Sequence, residues 1–167
     1  NICFIADVAV LPGWIRVDQL LDFATTIALL TDRPRVRVLP RIDRFDNFVS
    51  VLLFMPRDRY DSDVRARIGE HLAKIYDGRV STYFPTFPEG ELVRVHFIIG
   101  RNGGPTPRPN PADVEDDVAE MTLRHNRRFL AACDAAKARN ITVWVVSFGT
   151  SLSADMQACA SGDKAYQ

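Results

Sequence analysis

Residues 47–55 constrain the fold of this 167-residue chain more than any other stretch. Side chains alternate across a strand, and here both alternating sets are apolar: Phe48, Leu52 and Phe54 on one side, Val49, Val51, Leu53 and Met55 on the other. No register turns a polar face to water, so the strand belongs in the middle of a sheet. Arg35-Val36-Arg37-Val38-Leu39 alternates at period two, and residues 79–84 and 92–99 read as two further strands joined by the turn-rich Pro85-Thr86-Phe87-Pro88-Glu89-Gly90.

Helices are signalled between these strands. From Asp18 onward, Leu20, Leu21, Ala24, Ile27, Ala28 and Leu30 recur at three- and four-residue spacing, with Asp18 placed to cap and Pro34 to stop the helix. Asp61 and Ser62 are good caps for a second helix in which Val64, Ile68, Leu72 and Ile75 form one stripe, and Gly78 stands where a left-handed terminal residue is wanted. Residues 2–10 have the β-branched content of a strand that ends at Pro12-Gly13. The order strand, helix, two strands, helix, two strands predicts an α+β, ferredoxin-like antiparallel sheet with the helices on one face.

Gly103-Gly104-Pro105, Pro107 and Pro109 propagate neither helix nor ladder, so residues 101–111 read as a linker between a domain at 1–100 and a segment at 112–167. Asn110 caps a further helix with Pro111 at its first position. An alanine-rich helix then runs to Arg139, and residues 141–148 read as a strand apolar on both faces, a C-terminal helix-strand appendage. One alanine-rich helix cannot cover both faces of such a strand, so edge addition to the first sheet or loose packing is expected of it.

Composition narrows the functional classes. With 47% hydrophobic and 25% charged residues a folded core is expected, and 21 basic against 21 acidic residues leave no electrostatic footprint for nucleic acid. No apolar run reaches the length of a membrane span, and residues 2–11 are interrupted by Asp7 and lack a basic lead-in, so neither membrane nor export signal is expected. Cys3, Cys133 and Cys159 are too scattered for a zinc site or a disulfide framework, which makes free thiols the default.

Three groups of residues carry a resemblance. Arg33-Pro34-Arg35-Val36-Arg37-Val38-Leu39, Arg41-Ile42-Asp43-Arg44-Phe45-Asp46-Asn47-Phe48-Val49-Ser50-Val51 and Pro56-Arg57-Asp58-Arg59-Tyr60 closely resemble the ACT-like regulatory region of the large bacterial NAD-specific glutamate dehydrogenases. Arg79-Val80-Ser81, Phe84-Pro85, Phe87, Glu89-Gly90 and Val95-His96-Phe97-Ile98-Ile99-Gly100-Arg101 continue it in order, so that it spans residues 14–122. The resemblance implies an ACT-like, cytoplasmic, non-catalytic regulatory or oligomerisation segment of an oxidoreductase that interconverts glutamate and 2-oxoglutarate with NAD. Its partners would be the rest of that enzyme or a second copy.

Residues 124–167 are similar to something else. Leu130-Ala131-Ala132-Cys133-Asp134-Ala135-Ala136-Lys137-Ala138 and Ala158-Cys159-Ala160-Ser161 resemble the end of the von Willebrand factor A-like domains of Tad-type pilus-assembly proteins. That family's metal loop is not matched, because Asp7 is followed by Ala9 and Leu11 where hydroxyl ligands belong. Cys133 and Cys159 recur in this resemblance and could pair in an oxidising compartment, whereas the reducing cytosol implied by the dehydrogenase favours free thiols. A protein-interaction module of pilus or envelope assembly, or a composite chain without selected function, are the alternative readings.

No catalytic or cofactor-binding constellation is expected. Gly100-Arg101-Asn102-Gly103-Gly104 runs into proline rather than a helix, unlike a dinucleotide loop, and no carbonyl-polarising lysine can be placed, so NAD is not expected to bind this chain. His71, His96 and His125 lack a second ligand at metal spacing, and His96 reads as a core-edge residue beside Arg94. Residues 147–151 are hydroxyl-rich without a partner base. The candidate for effector binding is Arg57, Arg59 and Tyr60, where two guanidinium groups meet a helix N-terminus suited to the carboxylate of an amino acid. The competing reading is an ion-pair lattice with Asp43, Asp46, Asp58 and Asp61, which surface charges usually favour.

Overall fold

The structure, a computed structural model, describes residues 17–30, 34–146, 152 and 154–166. The strand expected at residues 2–10 and the hydroxyl-rich stretch 147–151 lie outside these. The chain divides into two compact units, the first ending at Val118 and the second starting at Ala119.

The first unit contains helix α1 (Val17–Leu30), strands β1 (Arg37–Ile42) and β2 (Phe48–Pro56), helix α2 (Ser62–Ile75), and strands β3 (Gly78–Thr86) and β4 (Leu92–Arg101). Helix α3 (Pro111–Ala138) begins in it. The four strands form one antiparallel sheet in the order β1-β2-β4-β3. Strand β4 is thus inserted between β2 and β3, which α2 connects: the split β-α-β of a ferredoxin-like, α+β fold. As its two apolar sides require, β2 is central, and every residue from Val49 to Met55 is buried.

The helices do not share one face, contrary to the expectation from economy of packing. Phe23, Ile27 and Leu30 of α1 pack with Leu39, Leu52 and Phe54, with Leu20 and Leu92 at the margin. The other face carries Val51 opposite Phe97 and Leu53 opposite Val95, and is covered by Val64, Ile68 and Leu72 of α2. At Gly69 a β-carbon would lie 3.2 Å from the Phe97 ring, which shows how closely α2 approaches the sheet. Two apolar sides on β2 need two covers, and each large side chain buried there contributes roughly 1.5–3 kcal/mol. The stripe of α1 is also shifted from the expected one: Phe23 is buried, whereas Leu21 and Ala28 are exposed.

Both helix termini flanking the sheet follow from sequence, with one exchange of roles. Asp61 caps α2, its carboxylate accepting from the Val64 N–H at 2.8 Å. At the other end the left-handed residue is Asp77, with φ 48°, rather than Gly78. Gly78 is needed for space, since a β-carbon there would stand 2.5 Å from the Gly100 carbonyl oxygen across the β3–β4 ladder.

Residues 102–110 have no regular structure, as the prolines predict, but they are not a free linker. Arg101, only 9% exposed, donates from Nη1 to the carbonyls of Tyr76 and Asp77 and from Nη2 to those of Gly103, Gly104 and Pro105. Asp46, at the β1–β2 turn with φ 57°, accepts from the N–H and hydroxyl of Thr106. The hydroxyl bond is the main reason its carboxyl is held below the ordinary 3.8. Because these bonds tie the segment to the sheet, the division of the chain falls after Val118 instead of at the prolines. The start of α3 is held by Glu115, which accepts from Arg37 Nη1 at 2.5 Å and from the Val38 N–H at 3.1 Å, and by Asp117, 3.1 Å from His71 Nε2. Val114 and Val118 are buried there.

The second unit holds the rest of α3, strand β5 (Val145–Val146), helix α4 (Ala154–Cys159) and strand β6 (Ala165–Tyr166). The junction between the two resemblances therefore falls inside a single 28-residue helix. Strand β5 pairs in parallel with β6, not with an edge of the four-stranded sheet. Trp144 stacks on Tyr166 at 5.7 Å, with the Lys164 ammonium 4.9 Å from the indole. The two cysteines expected as free thiols are joined: α3 and α4 bring the Cα atoms of Cys133 and Cys159 to 5.3 Å, and a disulfide closes the loop between them.

Two predictions follow from this packing. Arg101→Met removes the donor that gathers carbonyls from α2 and the proline segment, and is expected to cost about 2–4 kcal/mol in denaturant unfolding. Arg79→Ala, an exposed position bonded to Asn102, should stay within about 0.5 kcal/mol, and equal small shifts for both would refute the clamp. The disulfide closes a loop of sequence separation 26, so reduction should destabilise the second unit by roughly 3–4 kcal/mol. Hydrogen exchange reads this as lost protection at Val145 and Ala160 with Val51 and Phe97 unaffected; unchanged protection at Val145 would contradict it.

Candidate functional site

The Arg57 segment is a single turn of 3-10 helix, Arg57–Arg59, between β2 and α2. Proline at position 56 ends the ladder and sets the turn. Arg57 is half-buried. Its Nη2 donates to the Pro88 carbonyl at 2.9 Å, its guanidinium lies 5.9 Å from the Phe87 ring, and its N–H bonds to the Glu91 carbonyl at 2.7 Å. Tyr60 meets the same Phe87 ring edge-on at 5.3 Å. Arg57 and Tyr60 thus clamp the β3–β4 turn, a structural use, while Arg59 is half-buried beside them. Of the acids in the competing ion-pair reading, Asp61 caps α2, Asp43 accepts from the N–H groups of Phe45 and Asn47, and Asp46 holds Thr106.

A second polar group lies on the α1 face of the sheet, beside the apolar patch that α1 covers. Alternation puts Arg41, Ser50 and His96 on this face with Leu39 and Leu52, and the register sets Arg41 opposite Ser50 and Leu52 opposite His96. Ser50 Oγ and His96 Nε2 are 2.8 Å apart, a hydrogen bond across two central strands. Ser50 is fully buried and Arg41 is 9% exposed. Phe84 of β3, opposite His96 in the ladder and 55% exposed, leans over the imidazole with ring centroids 6.2 Å apart. Arg94 flanks His96 and donates to the Thr86 hydroxyl at 3.3 Å.

The electrostatics of this row are one-sided. Burial, and then the charges of Arg94 and Arg41, hold the His96 pKa below its ordinary 6.5. The imidazole is therefore neutral at neutral pH and can both donate and accept. Sequence reasoning placed His96 beside Arg94 but missed Ser50 and Arg41. One signal was available, since Ser50 is the hydroxyl inside the most apolar strand of the chain; the register that delivers it to His96 was not. Tyr76, beneath the other face, has its hydroxyl pushed up to about 12 by burial and is a core residue.

The sequence profile described as "Glutamate dehydrogenase, ACT2 domain" matches residues 37–125. The chain belongs to this family. The match begins at the first residue of β1 and takes in all four strands, α2, the proline segment and the first half of α3. Curated relatives agree. An NAD-specific glutamate dehydrogenase of Halomonas elongata is 34% identical over 89 residues, 53% of this chain and 6% of the relative. That of Pseudomonas aeruginosa is 29% identical over 104 residues, 62% of this chain and 6% of the relative. That of Mycobacterium tuberculosis is 28% identical over 85 residues, 51% of this chain and 5% of the relative. The ACT2 segment is thus a small fraction of the proteins it matches. No solved structure matches the chain at a significant level. The profile ends at His125, before Cys133 and Cys159, and adds nothing to the likeness of residues 124–167 to pilus-assembly proteins. Among the described residues no helix is long and apolar enough to cross a membrane.

The neutral state of His96 gives the ACT2 fold a pH dependence with a definite sign. A histidine whose folded pKa lies below its unfolded value contributes stability above about 6.5 that is lost as pH falls through the folded value. Melting temperature should therefore drop as pH falls below about 6.5, and His96→Gln should flatten that drop. Asp46 titrates in a separate window below 3.8 and does not interfere. An unchanged pH profile in His96→Gln would refute this assignment.

Proposed function

We propose that this chain is a non-catalytic regulatory segment of an NAD-specific glutamate dehydrogenase, acting within a much longer polypeptide. The observation that carries the reading is the coincidence of the family match with the structural unit: residues 37–125 contain the whole four-stranded sheet. In this reading the parent enzyme interconverts glutamate and 2-oxoglutarate with NAD, and its nucleotide and substrate sites reside elsewhere in the polypeptide.

A regulatory segment works by contact, and its edge strands differ in what they offer. The β1 edge is partly occupied, since Glu115 takes the Val38 N–H. The β3 edge carries exposed Tyr83 and Phe84, followed by exposed Phe87 in the turn. Sheet edges and exposed aromatic rings are the surfaces through which such a segment would meet the remainder of the enzyme or a second copy. Arg57 and Tyr60 contribute by fixing the turn that bears Phe87.

The test has two parts. Purified chain with glutamate and NAD should form no NADH above a mock preparation; measurable turnover would overturn the non-catalytic reading. Exchanging residues 37–125 for the corresponding stretch of the Pseudomonas aeruginosa enzyme should give a chimaera that assembles and turns over, with an altered response to effectors. A chimaera that fails to assemble, although the isolated segment folds, would overturn the assignment.

A further inference from the structure

We propose that Arg41, Ser50 and His96 form a binding site for a small carboxylate anion on the α1 face of the sheet, with Arg94 beside it and Phe84 as its apolar wall. The first observation is the state of Arg41. It sits on edge strand β1 nine-tenths buried, and its Nε is buried without a hydrogen-bond partner. A guanidinium taken out of water in this way is costly unless acceptors meet it: Arg101 on the opposite face leaves its own Nε unmatched but sets both Nη groups on backbone carbonyls, whereas no described residue accepts from Arg41. Arg37, two residues before Leu39 on the same strand, is likewise matched to Glu115. Arg41 has no such carboxylate among the described residues.

The second observation is what Arg41 faces. The charges acting on His96 are those of Arg94 and Arg41, both positive. Between them stand a fully buried hydroxyl and an imidazole already hydrogen-bonded to each other. Their mutual bond uses one of the pair's two protons and leaves one donor, on Ser50 Oγ or His96 Nδ1 according to the tautomer; with it, the planar fork of Arg41 matches a carboxylate. Phe84, exposed and leaning on His96, supplies a surface for a short organic body attached to that carboxylate. An inorganic anion would gain nothing from the ring, which is why the chemistry favours an organic acid.

The site is independent of the dehydrogenase reading, because it is tested as binding to the chain itself. Nuclear magnetic resonance of the imidazole signals in the full chain is followed during titration with propionate, with inorganic phosphate and chloride at matched ionic strength. Propionate should move the His96 ring signal saturably and leave that of His71, on the other face, in place. Arg41→Met should weaken the effect by at least about tenfold, the loss of a charge-assisted bond. If Arg41→Met does not fold, Ser50→Ala serves instead and should weaken binding severalfold. The proposal is overturned by a shift that does not saturate, by equal shifts with all three anions, by tighter saturation with phosphate, or by unchanged affinity in the folded variant. Catalytic failure of a dehydrogenase chimaera would bear on the proposed function and leave this result standing.

Discussion

Strand β2 has to be dry on both sides, and most of the architecture answers that demand. Seven consecutive residues, Val49 to Met55, are buried. A strand of this kind is stable only with a neighbour at each edge and a layer over each face. Strands β1 and β4 provide the edges. Helix α2 covers Val51 and Leu53, and α1 covers Leu52 and Phe54. The single hydroxyl in the run, Ser50, is buried with its polar need met by His96.

Arginine is used in two ways around this core. Arg101 ends β4 and converts a buried charge into a fastener, gathering backbone carbonyls from the end of α2 and from the proline segment. Those carbonyls belong to residues that cannot join a ladder or a helix, so a side-chain donor is what satisfies them. Arg41 occupies the opposite face at the same degree of burial, and no described residue accepts from its guanidinium. The contrast between two equally buried guanidinium groups is the physical basis for regarding one as scaffold and the other as receptor.

The second unit is built on a different principle. Its strands are two residues long, and Trp144, Val146 and Tyr166 remain largely exposed. A small unit with little apolar burial depends on cross-links, and the bond between Cys133 and Cys159 takes that part. Side-chain bonds reinforce it, from Asn126 to Asp155 and from Lys137 to the Ala158 carbonyl.

The sequence alone determined the elements whose signals are local. Periodicity marked β2 and α2, Asp61 and Asn110 marked helix starts, and the prolines after Gly104 marked a break in regular structure, because each of these depends on residues a few positions apart. The family likeness over the sheet was legible from residue strings in the same way. What only the tertiary structure decided involves residues far apart in the chain: which face α1 covers, that Gly78 yields to the Gly100 carbonyl while Asp77 turns the helix end, and that residues 102–110 are tied down by Arg101 and Asp46. The same holds for the site. Arg57 and Arg59 drew attention as neighbours in sequence, yet Arg57 donates from Nη2 and its backbone N–H to the turn. Arg41, Ser50 and His96 stand on three strands, and their meeting depends on a register fixed by the packing of the whole sheet, which no local pattern encodes.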